Sequence, residues 1–348
     1  MKATYGSLML GVEPDIVGWD VGGVHTKAVL VREGRILGSG FKTYEVQHAP
    51  GLLPEFLRDL AAEVGASAGT RHAVTMTAEL SQQFRTKRDG VAWVLDGFRA
   101  AFGKTDVFVA GVDGIWRTVD EARAAWRSVA AANWAVTARL IGRRHRDVLL
   151  IDIGSTTTDL IPIIDGAPTT LGLDDPGRLA ADELLYCGAV RTPVESLVSH
   201  VPYARAMAGV SAEGFALTGD VHVWRGMLHP DAYDTATPDG RPATRDFCGE
   251  RLARILCADR TMLDDAALDA IALSIADAQS QRVTSAVHRM LTRHPTLRHA
   301  IVVGLGAWMG QDAARAAGLE VLPAADLLGD QHLIAPAASA ALLLAGAA

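Results

Sequence analysis

Short blocks of apolar residues, separated by glycines and polar turns, occur twice in the same order along the chain. The first series predicts strands over 15–20 and 27–32 joined by a glycine loop, then a turn into a third strand over 36–46. The second series predicts strands over 148–152 and 158–164, with Asp165-Gly166 turning the chain toward a strand near 169–171. The pattern therefore indicates two related halves.

Helical spacing of apolar residues alternates with these strands, which is typical of α/β domains. In the first half the pattern predicts helices over 52–60, 90–102, 120–127 and 131–140 and strands over 72–77 and 107–110. In the second half it predicts helices over 180–187, 247–258 and 266–293, strands over 196–200, 300–303 and 320–322, an irregular active-site region over 218–246 and a terminal helix. No low-complexity linker separates the halves, so we expect domains over 1–145 and 146–348 with a compact hinge.

Each half contains an Asp-x-Gly loop between its first two strands. Asp20, Gly22, Gly23, Thr26 and Lys27 correspond without a gap to Asp152, Gly154, Ser155, Thr158 and Asp159. A carboxylate at a strand end can hold a hydrated cation or accept a proton, and glycine- and hydroxyl-rich backbone can donate to phosphate oxygens. Two ordinary hairpins with incidental Asp residues are the alternative, but the repetition favours a phosphate site with both halves facing one ligand. The candidate phosphate ligands are Gly22, Gly23, Thr26, Lys27, Gly154, Ser155, Thr156, Thr157 and Thr158.

The composition limits the classes of ligand. The 348 residues are 49% hydrophobic and 21% charged, which is typical of a soluble globular protein. A net charge of −7 argues against a nucleic-acid partner and favours small-molecule chemistry. The three cysteines have no CxxC spacing and predict neither a disulfide framework nor a zinc site, and no leader or membrane span is predicted, so we expect a cytoplasmic location. The sequence leaves a homo-oligomer open.

Other candidate residues each have a structural alternative. Thr77 and Glu79 follow a buried strand and could contact the ligand or cap a helix. Asp220 and His222 could share a metal if they alternate on a strand, and Asp220 alone is the better substrate contact. Arg191 could bind an anion or form a surface salt bridge, and Gly304 and Gly306 could admit a ring or simply turn a strand into a helix. Asn133 and Trp134 could cap a helix and fill the core, or face the substrate.

Together, the paired loops and the late segment Val302-Val303-Gly304-Leu305-Gly306 resemble the phosphate and adenosine motifs of the superfamily of actin, sugar kinases and heat-shock chaperone ATPases. The segments Met76–Leu80, Asn133–Thr137, Asp152–Asp159 and Thr218–Val221 are similar to the hydantoinase/oxoprolinase-like branch. Within that branch they resemble the aminomethylfuran synthases of methanofuran and methylofuran biosynthesis. The resemblance implies two ribonuclease H-like, actin-type domains with a phosphate-binding cleft between them.

The resemblance also implies a reaction. Such synthases join an aminomethyl-furanmethanol diphosphate to the phenol oxygen of tyramine or γ-glutamyl-tyramine and release pyrophosphate. The residues would then act as a diphosphate clamp in which Asp20 and Asp152 hold Mg²⁺, and Asp152 or Glu79 accepts the phenol proton, with Asp152 favoured.

Lys27 departs from the acidic residue usual at that position in hydantoinases and oxoprolinases. A lysine there favours anion binding over ATP-driven ring opening, unless it is a solvated strand-edge lysine. The alternatives are an ATP-dependent small-molecule kinase or hydantoinase-like enzyme, for which ATP would be the ligand, and a nonenzymatic nucleotide-binding module. The chain length argues against the module, since two halves leave nothing for a client-binding domain.

Overall fold

The computed structural model describes residues 14–44, 49–103 and 106–346. These residues divide into two compact units, the first comprising 14–136 and 336–346 and the second 137–335. The boundary thus lies nearer the N-terminus than the expected 145/146, and the terminal helix belongs to the first unit. This helix packs directly on Gly18 of the first strand, since a Cβ added to Gly18 would lie 2.0 Å from the carbonyl oxygen of Ala337.

The first unit is built on a six-stranded mixed sheet. Its strands are β1 (Ile16–Val21), β2 (His25–Arg32), β3 (Arg35–Thr43), β4 (Arg71–Met76), β5 (Val107–Ala110) and β6 (Trp116–Thr118). Their order is β3-β2-β1-β4-β5-β6, with β1 antiparallel to β2 and parallel to β4. The last predicted residues of β3, 45 and 46, lie outside the described residues, and β6 was not predicted.

Helices cover this sheet. They are α1 (Leu53–Glu63), α2 (Lys87–Phe102), α3 (Val119–Ala124) and α4 (Trp126–Val129), and α5 (Asn133–Gly142) crosses the boundary between the units. Helix α2 begins where the Thr86 side chain accepts a hydrogen bond from the Asp89 amide. It buries Val91, Val94, Leu95 and Phe98, whose spacing places them on one helical face. Trp134 of α5 is also buried, which favours its structural interpretation.

The second unit repeats the strand order of the first. Its main sheet contains β7 (Val148–Ile153), β8 (Thr158–Ile164), β9 (Ala167–Pro168), β10 (Leu184–Leu185), β13 (His299–Val303) and β14 (Glu320–Leu322). The path is β10-β8-β7-β13-β14, with β9 also pairing with β8. Since β7 is antiparallel to β8 and parallel to β13, the three strands have the same relation as β2, β1 and β4. This confirms the predicted duplication and the α/β fold class with two mixed sheets.

Three predicted elements of the second unit are wrong. The segment 180–187 is not a helix. The helix α6 (Asp175–Ala180) begins earlier, where the Asp174 side chain accepts from the Gly177 amide, and it ends at Ala180. Leu184–Leu185 instead form β10. The strand predicted over 196–200 begins only at His200, where β11 (His200–Tyr203) pairs with β12 (Ala206–Gly209). The predicted irregular region begins with a helix, α7 (Thr218–Trp224).

The remaining helices follow the prediction more closely. They are α8 (Arg245–Arg254), α9 (Asp265–Arg293), α10 (Ala307–Ala316), α11 (Ala325–Leu328) and α12 (Ala335–Leu344). None of the helices in the described part of the chain is long and apolar enough to cross a membrane. Of the three cysteines, Cys187 and Cys248 are buried and Cys257 is exposed.

His72 lies in the core of the first unit and makes the stability of that unit sensitive to pH. The Trp19 indole donates to His72 Nδ1 at 3.0 Å, and the imidazole stacks on Phe102 at 3.8 Å between ring centroids. Burial lowers the pKa of His72 to about 4, partly offset by Asp106. The imidazole of His72 is therefore neutral in the folded protein near neutral pH.

We expect the free energy of unfolding to be highest above about pH 6.5, the pKa of an unfolded histidine, and to fall as the pH drops toward 4. The sign follows because the unfolded chain binds a proton that the folded chain excludes. The His72 share of the loss should reach about 3 kcal/mol, measurable by urea unfolding at a series of pH values. A His72→Asn variant, which keeps an acceptor for Trp19, should lose that share of the pH slope, and an unchanged slope would contradict this account.

Candidate active site

The two Asp-x-Gly loops occupy the same position in their sheets. In the first unit Asp20 lies opposite Lys27 across the β1–β2 pair, and in the second Asp152 lies opposite Asp159 across β7–β8. Each hairpin closes with one hydrogen bond of the same type and length. The Gly22 amide donates to the His25 carbonyl at 2.9 Å, and the Gly154 amide donates to the Thr157 carbonyl at 2.9 Å. The in-register repetition predicted from the sequence is confirmed.

The first loop carries a partly buried ion pair. Lys27 Nζ donates to Asp20 Oδ2 at 2.8 Å, and Asp20 is only 3% exposed. The other oxygen, Asp20 Oδ1, is buried and has no hydrogen-bond partner among the described residues. Lys27 is thus not a solvated lysine but the cation that neutralises Asp20.

Thr77 and Glu79 follow β4 beside this loop. The Thr77 amide donates to the Val21 carbonyl at 2.9 Å, and a Cβ added to Gly22 would lie 3.6 Å from Thr77 Oγ1. Thr77 precedes a 3-10 turn, but its side chain makes no capping hydrogen bond there. Glu79 is 1% exposed and lies 3.8 Å from Lys87 Nζ. The structure therefore places Thr77 next to the loop and Glu79 in a buried position on the same turn.

The second loop is anchored through its carbonyl groups. The Ala189 amide donates to the Gly154 carbonyl at 2.9 Å, and the amides of Val190 and Arg191 donate to the Ser155 carbonyl at 3.0 and 2.9 Å. In a trans peptide the C=O of one residue and the N–H of the next point in opposite directions. The amides of Ser155 and Thr156 must therefore point away from residues 189–191.

These two amides have no acceptor among the described residues, and neither do the amides of Gly23 and Val24 in the first loop. Residues 154–157 are only partly buried, so part of the second loop is open to solvent. Consecutive outward N–H groups form a concave donor surface that binds anions. In the second loop, the amides of Ser155 and Thr156 could therefore donate hydrogen bonds to an oxyanion.

Two glycines, Gly188 and Gly304, allow the backbone around the second loop to pack closely. A Cβ on Gly188 would lie 2.5 Å from the Ser155 oxygen, and one on Gly304 would lie 2.5 Å from Asp152 Oδ1. Gly304 has φ +90° and so also needs the freedom of glycine. Gly306 donates its amide to the Ile153 carbonyl at 2.8 Å. The late glycine motif therefore packs against the Asp152 strand end and begins α10.

Two predicted phosphate ligands lie beneath the loops. Thr26 and Thr158 are fully buried, and the Thr158 hydroxyl donates to the Cys187 carbonyl at 2.7 Å. These two side chains are therefore not placed to contact a bound ligand. Asp159 is also paired, because the Arg178 guanidinium donates a hydrogen bond to its carboxylate at 2.7 Å. Burial raises the pKa of the Asp159 carboxyl despite this partner.

Arg191 is a basic residue in the segment that anchors the second loop. Its backbone amide anchors Ser155, its side chain is half-buried, and it forms no ion pair with any described residue. The surface salt bridge considered as the alternative is therefore absent from the described part of the chain. Arg191 can offer its guanidinium to an anion bound at the loop.

Asp220 has a structural role instead of the predicted contact with substrate. It is fully buried, Arg251 Nε donates to its Oδ1 at 2.8 Å, and the Leu217 amide donates to its Oδ2 at 2.9 Å. Because Asp220 and His222 lie on helix α7, the strand arrangement that suggested a shared metal is wrong. No group of three or more His, Cys, Asp or Glu side chains within the described ranges could hold a metal ion.

Comparison with known proteins places this arrangement in a family. The model of the hydantoinase/oxoprolinase family matches residues 70–344, which is well over half of the chain. The chain belongs to the hydantoinase/oxoprolinase family. This hydantoinase/oxoprolinase homologue also has a fold similar to nucleotide-free acetone carboxylase, with TM-score 0.60 at 12% identity over 94% of this chain and 69% of the other.

Two curated relatives of this family member share one name. They are the (4-{4-[2-(gamma-L-glutamylamino)ethyl]phenoxymethyl}furan-2-yl)methanamine synthases of Methanocaldococcus jannaschii and Methanococcus vannielii. The first is 32% identical over 86% of this chain and 88% of its own length. The second is 32% identical over 48% of this chain and 75% of its own length.

Proposed function

We propose that this protein is a transferase that joins an aminomethyl-furanmethanol diphosphate to the phenol oxygen of tyramine or γ-glutamyl-tyramine and releases pyrophosphate. The observation that carries the proposal is the similarity to the Methanocaldococcus jannaschii synthase over nearly the whole length of both chains. The name of that relative describes an aryl ether between a phenol oxygen and a furanylmethyl carbon. Forming such an ether requires a leaving group on the methylene carbon.

The second loop suits a diphosphate leaving group. As the bond from the methylene carbon to the diphosphate oxygen breaks, the electron pair goes to the diphosphate and its negative charge increases. The outward amides of Ser155 and Thr156 and the guanidinium of Arg191 would stabilise that charge. Around Gly154 there is room for close approach, because a Cβ added there would meet nothing nearer than the Thr157 oxygen at 3.8 Å.

Magnesium fits one of the two aspartates better than the other. Asp152 is half-buried at the edge of the second loop, where a carboxylate could hold a hydrated Mg²⁺ that neutralises the departing diphosphate. At Asp20 the ammonium of Lys27 already occupies a position that a metal cation would take. We assign Mg²⁺ to Asp152 because its carboxylate lies beside the loop whose amides would hold the diphosphate.

Asp152 is also our choice for the group that accepts the phenol proton. A phenol has a pKa of about 10, so an adjacent carboxylate that takes its proton while the new C–O bond forms would speed attack on the methylene carbon. Gly304 packs directly against Asp152 Oδ1, since a Cβ added there would lie 2.5 Å from that oxygen. Glu79, with 1% of its surface exposed, is the less accessible of the two predicted bases.

The proposal is tested by incubating the protein with Mg²⁺, the aminomethyl-furanmethanol diphosphate and tyramine or γ-glutamyl-tyramine. We expect pyrophosphate and the aryl ether to form in equal amounts, measured by a coupled phosphate assay and mass spectrometry. The O-methyl ether of tyramine, in which a methyl group replaces the phenol proton, should give no product. Parallel incubation with ATP and the same acceptors tests the alternative, an ATP-dependent small-molecule kinase or hydantoinase-like enzyme. ADP formation without ether product would overturn the proposal.

A further inference from the structure

Gln279 is a polar residue in the middle of an apolar stripe on helix α9. Ile271, Ile275, Val283 and Val287 flank it at four-residue spacing, and all are buried. Gln279 itself is 0% exposed. A buried amide in such a stripe requires hydrogen-bond partners, because an unpaired amide is costly to bury.

Both ends of the Gln279 amide are bonded. Its Nε2 donates to the Gly188 carbonyl at 2.8 Å, and its Oε1 lies 2.8 Å from His222 Nε2. Since the carbonyl can only accept, the amide nitrogen must face Gly188, and His222 must carry its proton on Nε2 to donate to Oε1. The imidazole is 1% exposed, and burial lowers its pKa to about 4, so it stays neutral and keeps this orientation.

The Gly188 carbonyl is one of the points at which the interior of the second unit holds the segment that anchors the second loop, beside the Val190 and Thr192 carbonyls, which accept from the amides of Gly219 and Thr218. It also accepts from the hydroxyl of Thr218 at 3.0 Å, while the Gly188 amide donates to Thr192 Oγ1 at 2.9 Å. The Gly188 Cα lies directly against the Ser155–Thr156 peptide, and the next three amides bond the loop carbonyls. A shift of Gly188 must therefore move the loop.

We infer that Gln279, oriented by His222, is a positioning residue that holds residues 188–191 and thereby keeps the amides of Ser155 and Thr156 directed toward a bound diphosphate. The assignment of the ligand rests on the proposed function, whereas the mechanical coupling between Gln279 and the loop does not. His222 also packs edge-on against Trp308 at 5.3 Å between ring centroids. Because Trp308 belongs to α10, His222 connects this network to the helix that follows Gly304 and Gly306.

A Gln279→Met substitution tests the inference, since methionine has a similar volume but no amide. We expect the dissociation constant for Mg²⁺-pyrophosphate, measured by titration calorimetry, to rise about tenfold or more. Hydrogen exchange should also become faster at the amides of Ala189, Val190 and Arg191, which bond the loop in the wild type. This second measurement requires no ligand.

Two variants on the same helix separate positioning from general destabilisation. Gln281→Met changes the same residue type at an exposed position and should alter neither measurement. Val283→Ala removes buried methyl groups one turn away and should lower the melting temperature while leaving pyrophosphate affinity within about twofold. Unchanged exchange at residues 189–191 in Gln279→Met overturns the inference, as does an affinity loss in Val283→Ala equal to that in Gln279→Met. Wild-type protein that binds pyrophosphate but forms no ether would refute the proposed reaction and leave the positioning role standing.

Discussion

Asp152→Asn should reduce the turnover of the transfer reaction by about 10²–10⁴-fold, the range typical of removing a general base. Asparagine has the same shape as aspartate, so Gly304 should still pack against it. It cannot accept the phenol proton, and it is a weaker ligand for Mg²⁺. The measurement is the steady-state rate of pyrophosphate release at saturating substrates.

The binding of pyrophosphate without Mg²⁺ should survive this substitution, because the amides of Ser155 and Thr156 are unchanged and a negative charge beside the anion is lost. Asp165→Asn is the matched control, since Asp165 is an exposed residue of the β8–β9 turn and asparagine tolerates its φ of +51°. It should have wild-type turnover. Turnover within about threefold of wild type in Asp152→Asn would exclude Asp152 as the base.

Gly188→Ala should raise the dissociation constant for Mg²⁺-pyrophosphate about 30-fold or more, since the new methyl group would overlap the backbone of the second loop. Its Cβ would lie 2.5 Å from both the Ser155 oxygen and the Thr156 carbonyl carbon. Backbone cannot rotate away as the end of a flexible side chain can, so the loop or the segment over residues 188–191 must shift. We also expect the free energy of unfolding to fall by about 1–3 kcal/mol.

Gly209→Ala is the control for this substitution. Gly209 lies on β12 of the same unit, and a Cβ there would meet no heavy atom within 4 Å. Affinity and stability should both stay near the wild-type values. If Gly188→Ala binds pyrophosphate as tightly as Gly209→Ala, the close packing of Gly188 on the loop is not important for the anion site.

The hairpins and their loops could be predicted because their signals are local. Apolar strands on both sides of Gly22 and of Gly154 specify β1–β2 and β7–β8, and the pairing partners are only a few residues away in the chain. The register then brings Asp20 opposite Lys27 without any contribution from distant residues. Matching loop sequences consequently produced matching loop geometry.

Elements that depend on distant partners were harder to predict. Leu184–Leu185 has the apolar content of a helix but forms an edge strand, because β8 offers it a free side for pairing. Asp220 looked like a ligand contact because a charged residue next to glycine in an irregular region is usually exposed. Arg251, 31 positions further along, makes its burial tolerable by pairing with it.

Gln279 was missed for a related reason, although the sequence carries a weak signal for it. A glutamine between Ile275 and Val283 in an apolar stripe marks a buried amide that needs partners. Nothing in the local sequence identifies those partners as Gly188 and His222, 91 and 57 positions away.

The sequence by itself determined the duplicated α/β architecture, the two Asp-x-Gly loops and their register, because these depend on residues close in the chain. Only the tertiary structure decided which groups of those loops a ligand can reach. It buried Thr26 and Thr158, neutralised Asp20 with Lys27 and left the amides of Ser155 and Thr156 directed outward. The physical reason is that burial and hydrogen-bond satisfaction depend on partners brought together by folding, and the spacing of residues along the chain does not specify them.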